Sequence, residues 1–414
     1  MMINAGDTGF VLLCSALVFF MTPGLAFFYG GMVRRKNVIN TMMSSFFIIG
    51  IAMVMWVICG YSLSFGNDHW GVIGDLRNVF FNGIGMQNSS YANGVVDLAF
   101  AAFQMMFAVI TPALITGAVA GRMKFKALFI FTIFWSLLVY YPLAHMVWGH
   151  NGFLSAIGSV DFAGGNVVHI SSGISALVLC IVLGKRSGYE HQNYHVHNIP
   201  FTALGAAMLC FGWFGFNAGS ALGANGLAAN AFMTSALSAG AALLSWMMMD
   251  YLISGKVSLV GVSSGLVVGL VAITPGAGFV PVWAALPIGF FASPICYLMI
   301  SKVKKHFGYD DALDAFGCHG VGGIYGGICT GIFALRSINP VAKWNGLIGG
   351  NWHLFAAQLA AIAITIAVAA IGTLICIKLV SLFSELRVDK RSEKVGLDMS
   401  EHQEEAYPSF NGLD

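Results

Sequence analysis

Eleven long apolar runs, at roughly 9–32, 38–65, 98–120, 127–148, 163–184, 199–217, 229–252, 257–274, 278–301, 316–335 and 352–383, make up most of the chain. Short polar stretches separate them. A helix needs about 20 apolar residues to cross a bilayer, so each run predicts one spanning helix. None shows the sustained apolar/polar alternation of a membrane β-barrel strand. The expected fold is an all-α integral membrane protein with eleven transmembrane helices. The last run is long enough to require tilt or an extension into water. A transmembrane domain is expected over 1–383. A soluble tail is expected over 384–414, which holds eight acids, four bases and no apolar run.

Basic residues sort by loop. Arg34, Arg35, Lys36, Arg122, Lys124, Lys126, Lys185, Arg186, Lys256, Lys302, Lys304 and Lys305 fall in alternate loops, on the same side as the tail. Only Arg77, Arg336 and Lys343 fall on the other. The positive-inside rule places the N-terminus outside and the C-terminus in the cytoplasm, and an odd span count agrees. The first ten spans divide into two halves of five. An odd number per half makes them inverted, with a long eleventh helix following. The hint is positional: His169 falls in the fifth span and His319 in the tenth.

Composition narrows the function. The 414 residues are 57% hydrophobic and 9% charged, against roughly 25% charged in soluble domains. This excludes a soluble enzyme, a nucleic-acid binder and a disordered chain. The net charge of +2 suggests no polyanionic partner. All eight cysteines lie in apolar runs without a CxxC, so buried reduced thiols are expected, and no metal or cofactor. No basic segment precedes the first run, which is too long for a signal peptide and is read as a retained span. Nucleotide-loop and common hydrolase motifs are absent from the sequence.

Two groups of residues carry chemistry. His169, in DFAGGNVVHISSG, and His319, in DAFGCHGVGG, sit mid-span among small residues. An ionisable group inside a membrane faces the protein interior. Both imidazoles are expected neutral, able to share a proton and line a narrow path. The bland alternative is two unrelated packing histidines. The second group is aromatic: Phe103, Phe107, Trp148, Trp213 and Phe216. Such rings can cage a small cation, with the Ser220 hydroxyl as acceptor, or simply pack the core and the membrane boundary. Asp161 reads as a helix N-cap, with negative potential near the outer mouth as a further role. His191, His195 and His197 read as a solvated loop, not a metal site. The Gly261, Gly265, Gly269 stripe reads as helix packing.

The segments FMTPGLAFFYGGMVRRKN, AHMVWG, DFAGGNVVHI, GWFGFNAGS and FGCHGVGG, in this order across eleven spans, resemble the ammonium transporter (Amt/Mep/Rh) family. The resemblance extends to GLDMSEHQEEAY in the tail. It implies a homotrimer with one pore per subunit. It places Phe107, Trp148 and Ser220, with Asp161 and Phe103 beside them, at an outer ammonium-recruiting site. It implies a phenyl gate of Phe107 and Phe216 and a pore lined by His169, His319 and Trp213. Trp148 and Ser220 point to the Amt branch. Gly396, Leu397, Asp398, His402 and Tyr407 resemble the family's regulatory tail, which contacts a neighbouring subunit. A PII-type signal protein (GlnK) is the partner this implies. Met105, Met106, Cys318 and Gln403 depart from the usual pattern, and none of them is a recruiting or pore residue.

The expected function is a plasma (inner) membrane, multi-pass ammonium transporter or ammonia channel, not an enzyme. Ammonium is recruited, loses its proton, and ammonia crosses the lumen, where a bare ion would be costly. The alternative is an ammonium sensor signalling through a cytoplasmic PII partner. An intramembrane enzyme using the two histidines as metal ligands ranks last, since the spans offer no third ligand.

Overall fold

A computed structural model describes residues 2–189 and 196–407. Helices α1 (Ala5–Met32), α2 (Arg35–Phe65), α3 (Asp97–Val119), α4 (Phe125–Ala156), α5 (Gly165–Leu183), α6 (Ile199–Gly219), α7 (Gly226–Ser254), α9 (Val282–Phe307) and α11 (His353–Ser381) are long and apolar enough to cross a membrane. These are nine among the described residues. The runs expected at 257–274 and 316–335 are also helical, as α8 (Leu259–Ile273) and α10 (316–333), but α8 has only 15 residues and α10 is rich in glycine. Every expected run thus coincides with a helix, most ends agreeing within a few residues. The largest differences are a break in α4 after Trp148 and an extension of α9 to Phe307. A short antiparallel pair, β1 (Asp68–His69) and β2 (Ile73–Gly74), sits in the α2–α3 loop. Buried His145 of α4 pins this loop, with Nε2 2.9 Å from Asp68 Oδ1 and Nδ1 3.0 Å from the Ser64 carbonyl.

Packing repeats between the halves. Helix α1 packs on α3 as α6 packs on α8, and α2 on α4 as α7 on α9. The halves join where α1 lies along α6 and where α5 meets α10. At the second junction a Cβ on Gly173 would overlap the backbone of Gly320, and one on Gly323 would press on His169 and Ile170. Helices come this close only where side chains are absent. This crossing sets how closely His169 and His319 approach one another.

The described residues after α11, 382–407, are docked against the rest of the protein. They lie on the face that carries the loops near Lys36, Lys124 and Lys185. The Leu386 carbonyl accepts from Lys124 N–H, and Val388 N–H donates to the Arg122 carbonyl, a strand-like pairing. Arg387 donates to the carbonyls of Leu183 and Lys185 and pairs with Glu393, which in turn accepts from Ser187. Burial opposes ionisation of Glu393, but the Arg387 and Ser187 bonds prevail and hold its carboxyl below the usual range. Leu397 is fully buried and donates its N–H to Asn37 Oδ1. Asp398 accepts the Asn40 N–H at the start of α2, 2.9 Å away. Tyr407 closes the attachment through His197 Nε2 (3.2 Å), Asn198 (3.1 Å) and the Arg35 guanidinium over its ring. Lys124 and Glu385 add a surface ion pair. Backbone hydrogen bonding does most of the work, because the loops and the start of α2 present unpaired N–H and C=O groups.

Candidate functional site

The site is built from the helix starts upward. The two halves carry one spacing: Asp161, His169 and Gly173 in α5 and its approach, Asp311, His319 and Gly323 in α10 and its approach. Each aspartate caps its helix. Asp161 accepts from the N–H groups of Gly164, Gly165, Asn166 and Val167 at 2.7–3.4 Å. Asp311 accepts from Ala315 at 3.1 Å and Phe316 at 2.8 Å. A carboxylate at a helix N-terminus is favoured by both the hydrogen bonds and the helix dipole. In both helices the next turn is widened, with N–H to C=O bonds that span five residues. Such widened turns re-aim side chains and gather at functional sites.

Those turns bring His169 and His319 face to face. Their Nδ1 atoms are 3.3 Å apart and their rings lie within 18° of parallel, with centroids 5.4 Å apart. A bond between two Nδ1 atoms requires one ring to donate and the other to accept, so the accepting ring is neutral. Nε2 of His169 is buried without a protein partner. A buried polar atom left unpaired is costly, and His169 lines a small internal cavity. Trp213 stacks on His169 at 5.4 Å, held by its Nε1–H bond to Thr274 Oγ1 at 2.9 Å. The free volume among His169, His319, Trp213, Phe216 and the apolar residues around them is only ≈10 Å³, about the smallest space that holds one water.

Above the histidines, toward the face with the N-terminus, Phe107 and Phe216 are in contact, with ring centroids 4.3 Å apart. Beyond them opens a mouth cavity of ≈280 Å³, lined by Phe107, Trp148, Ser220, Asp161, Gln104, Tyr91 and others. Trp148 stands edge-on to Phe107 at 5.8 Å, and its Nε1–H donates to the Asp161 carbonyl at 3.0 Å. The Ser220 hydroxyl donates to the Phe216 carbonyl at 2.9 Å, which leaves its oxygen lone pairs for a ligand. The Asp161 carboxylate is taken up by the four N–H groups. Its part in the site is to hold α5 and, through its carbonyl, the Trp148 ring.

One candidate lies elsewhere. Phe103 is fully buried and does not line the cavity. Phe100, Gln104 and Phe107 do so instead, one stripe at helical spacing. Phe103 is rotated off that stripe into the space left by Gly219 and packs edge-on behind Phe107 at 4.9 Å. The tail residues Gly396, Leu397, Asp398, His402 and Tyr407 form a separate cluster on the opposite face, where His402 Nε2 lies 3.0 Å from Asn40 Nδ2. Sequence reasoning missed Thr274, Gln104, His145 and Asp311. Only Asp311 left a signal, the repeated spacing to histidine and glycine. Of the loop histidines, His197 anchors on the Val33 carbonyl (3.0 Å) and Tyr407, while His191 and His195 lie outside the described residues. Among the described residues, no three His, Cys, Asp or Glu side chains gather as a metal site would need.

Residues 9–407 match the Ammonium Transporter Family. The chain is 47% identical over 402 residues to an ammonium transporter of Bacillus subtilis, covering 97% of this chain and 98% of that protein. It is 45% identical over 403 residues to ammonium transporter Amt1 of Archaeoglobus fulgidus, covering 97% and 99%. Among solved structures, Mep2 of Saccharomyces cerevisiae superposes with a TM-score of 0.87 at 34% identity, covering 94% and 91% of the two chains. A structure described as a sensor Amt protein superposes with a TM-score of 0.87 at 27% identity, covering 96% and 98%.

Proposed function

Because the chain belongs to the ammonium transporter family, we propose that it recruits ammonium in the mouth cavity, that the ion gives its proton to water there, and that ammonia is conducted past the two histidines. The observation that carries this is the confined histidine pair beneath touching phenyl rings, with one ring nitrogen unpaired. The aromatic faces of Phe107 and Trp148 and the Ser220 oxygen suit a small cation, each ring contact contributing about 0.5–2 kcal/mol. Below them a charge would lose its hydration with little in return, whereas neutral ammonia loses far less. The unpaired Nε2 gives ammonia one hydrogen-bonding station. The phenyl rings must turn aside for each passage. Simultaneous ammonia flux and current on proteoliposomes test this. Ammonia uptake with potassium excluded supports it, and free passage of potassium overturns it.

Trp148→Leu is expected to raise the half-saturating ammonium concentration with the fold intact, by about threefold to tenfold if one cation–π contact is lost. Ser220→Ala moves it the same way. The concentration dependence of flux in the two variants checks this, and curves matching wild type would remove the recruiting site.

In this reading the N-terminal face is outside and the tail face is cytoplasmic, in a plasma (inner) membrane. The protein works as a homotrimer, over a transmembrane domain of 1–383 and a regulatory tail from 384. The docked tail, on the face read as cytoplasmic, suits control by a PII-type protein, and the likeness to a sensor Amt protein favours signalling alongside transport. Asp398→Ala leaves the first turn of α2 without its carboxylate cap, at a cost of about 0.5–2 kcal/mol. The expected result is faster protease cleavage near Val395 and altered flux while the trimer persists. Unchanged cleavage and flux would reduce the tail to a passive extension.

A further inference from the structure

The mouth cavity is lined by a cation of the protein's own. Lys343 is the one Lys or Arg among the described residues that line it, beside Trp148, Phe107, Ser220 and Asp161. Its ammonium group is seated. Nζ lies 4.7 Å from the centroid of the Trp344 ring. That ring overlies Gly158, itself part of the cavity wall, and stacks on His353 at 5.4 Å, which stacks on Trp352 at 4.5 Å. No carboxylate neutralises Lys343 among the described residues. The one carboxylate residue among the described lining residues, Asp161, is engaged by four backbone N–H groups.

We propose that Lys343 sets the cavity's affinity for its ion: a fixed alkylammonium charge on the wall of a recruiting site weakens cation occupancy and keeps the site from saturating at low ammonium. The proposal rests on reading the cavity as the ammonium-recruiting site. A compact cavity of ≈280 Å³ is about as wide as the Debye length, roughly 8 Å at 0.15 M salt, so a charge on its lining is felt by a cation inside it. Repulsion between two unit charges at that range is enough to change occupancy by about threefold to tenfold in a partly dehydrated site. Trp344 gives the charge its place. The ring holds the ammonium at the wall, where it repels the incoming ion without blocking the path.

The test is the half-saturating ammonium concentration for flux into proteoliposomes carrying full-length wild type, Lys343→Gln, Lys343→Arg and Trp148→Leu. Each is measured at about 0.01 M and about 0.15 M sodium chloride, where the Debye length is roughly 30 and 8 Å. Lys343→Gln is expected to lower the value about threefold to tenfold at low salt and less at high salt. Lys343→Arg should match wild type. An unchanged value in Lys343→Gln overturns the proposal. So does an equal shift at both salt concentrations, which would report a loosened Trp344. If Trp148→Leu shifts the value and Lys343→Gln does not, the recruiting site stands and the proposal falls. A salt-dependent shift in Lys343→Gln with none in Trp148→Leu upholds the charge effect and overturns Trp148's part.

Discussion

His169→Ala and His319→Ala are each expected to cut selective ammonia conduction by roughly tenfold to hundredfold. Either change leaves the remaining Nδ1 without its 3.3 Å partner. An orphaned polar group in an apolar path costs about 1–3 kcal/mol, and about 1.4 kcal/mol is tenfold in rate. The loss takes one of two forms. If the freed space stays dry, ammonia loses its station and flux falls. If water fills it, flux persists but exclusion of potassium fails. His169→Ala is expected to be the more severe, because that ring also stacks on Trp213 and lies beneath Phe216 at 6.0 Å. Parallel ammonia and potassium fluxes decide the matter. Wild-type flux with wild-type exclusion in both variants would mean that the pair only packs.

Gly173→Val is expected to abolish the folded transporter. The new side chain would overlap the backbone nitrogen and Cα of Gly320, and backbone cannot swing aside as a flexible side chain can. Overpacking typically costs about 1–3 kcal/mol even where side chains adjust, so the cost here lies at or above the top of that range. Separating α5 from α10 would also part the two histidines. Gly240→Ala is the control, since nothing lies within 4 Å of a Cβ there. Thermal unfolding in detergent and ammonia flux should both fail for Gly173→Val and both survive for Gly240→Ala. A normally melting, conducting Gly173→Val would show that the crossing is looser than its geometry implies.

The spans were legible because bilayer thickness imposes a length on apolar runs that needs no knowledge of contacts. The histidine pair was legible for a related reason: an imidazole amid apolar neighbours is conspicuous. What stayed hidden depends on rotation and distance. Phe103 and Phe107 share a helical spacing, and nothing in the sequence says that Gly219 opens a slot for one ring and not the other. Thr274 looks like any threonine until its hydroxyl is found under the Trp213 indole. The way the tail attaches stayed hidden because its anchors are Leu397, the Asn37 amide and backbone carbonyls, none of which stands out by composition. Asp311 shows what could have been found, since its spacing to His319 repeats that of Asp161 to His169.

The meeting of the two histidines also bears on how the protein is made. They are 150 residues apart in sequence, and α5 is already synthesised when α10 is not. A nascent chain that has inserted only its first half holds one imidazole, half a lumen and a phenylalanine at 107 whose partner at 216 is still to come. The histidine pair and the phenyl contact therefore form only after the second half has been made and the glycine crossing has closed. The tail, synthesised last, ties back to residues near Lys36, the earliest loop on its face. Docking of the tail thus comes last, and it ties a late segment of the chain to the loop that follows its first helix.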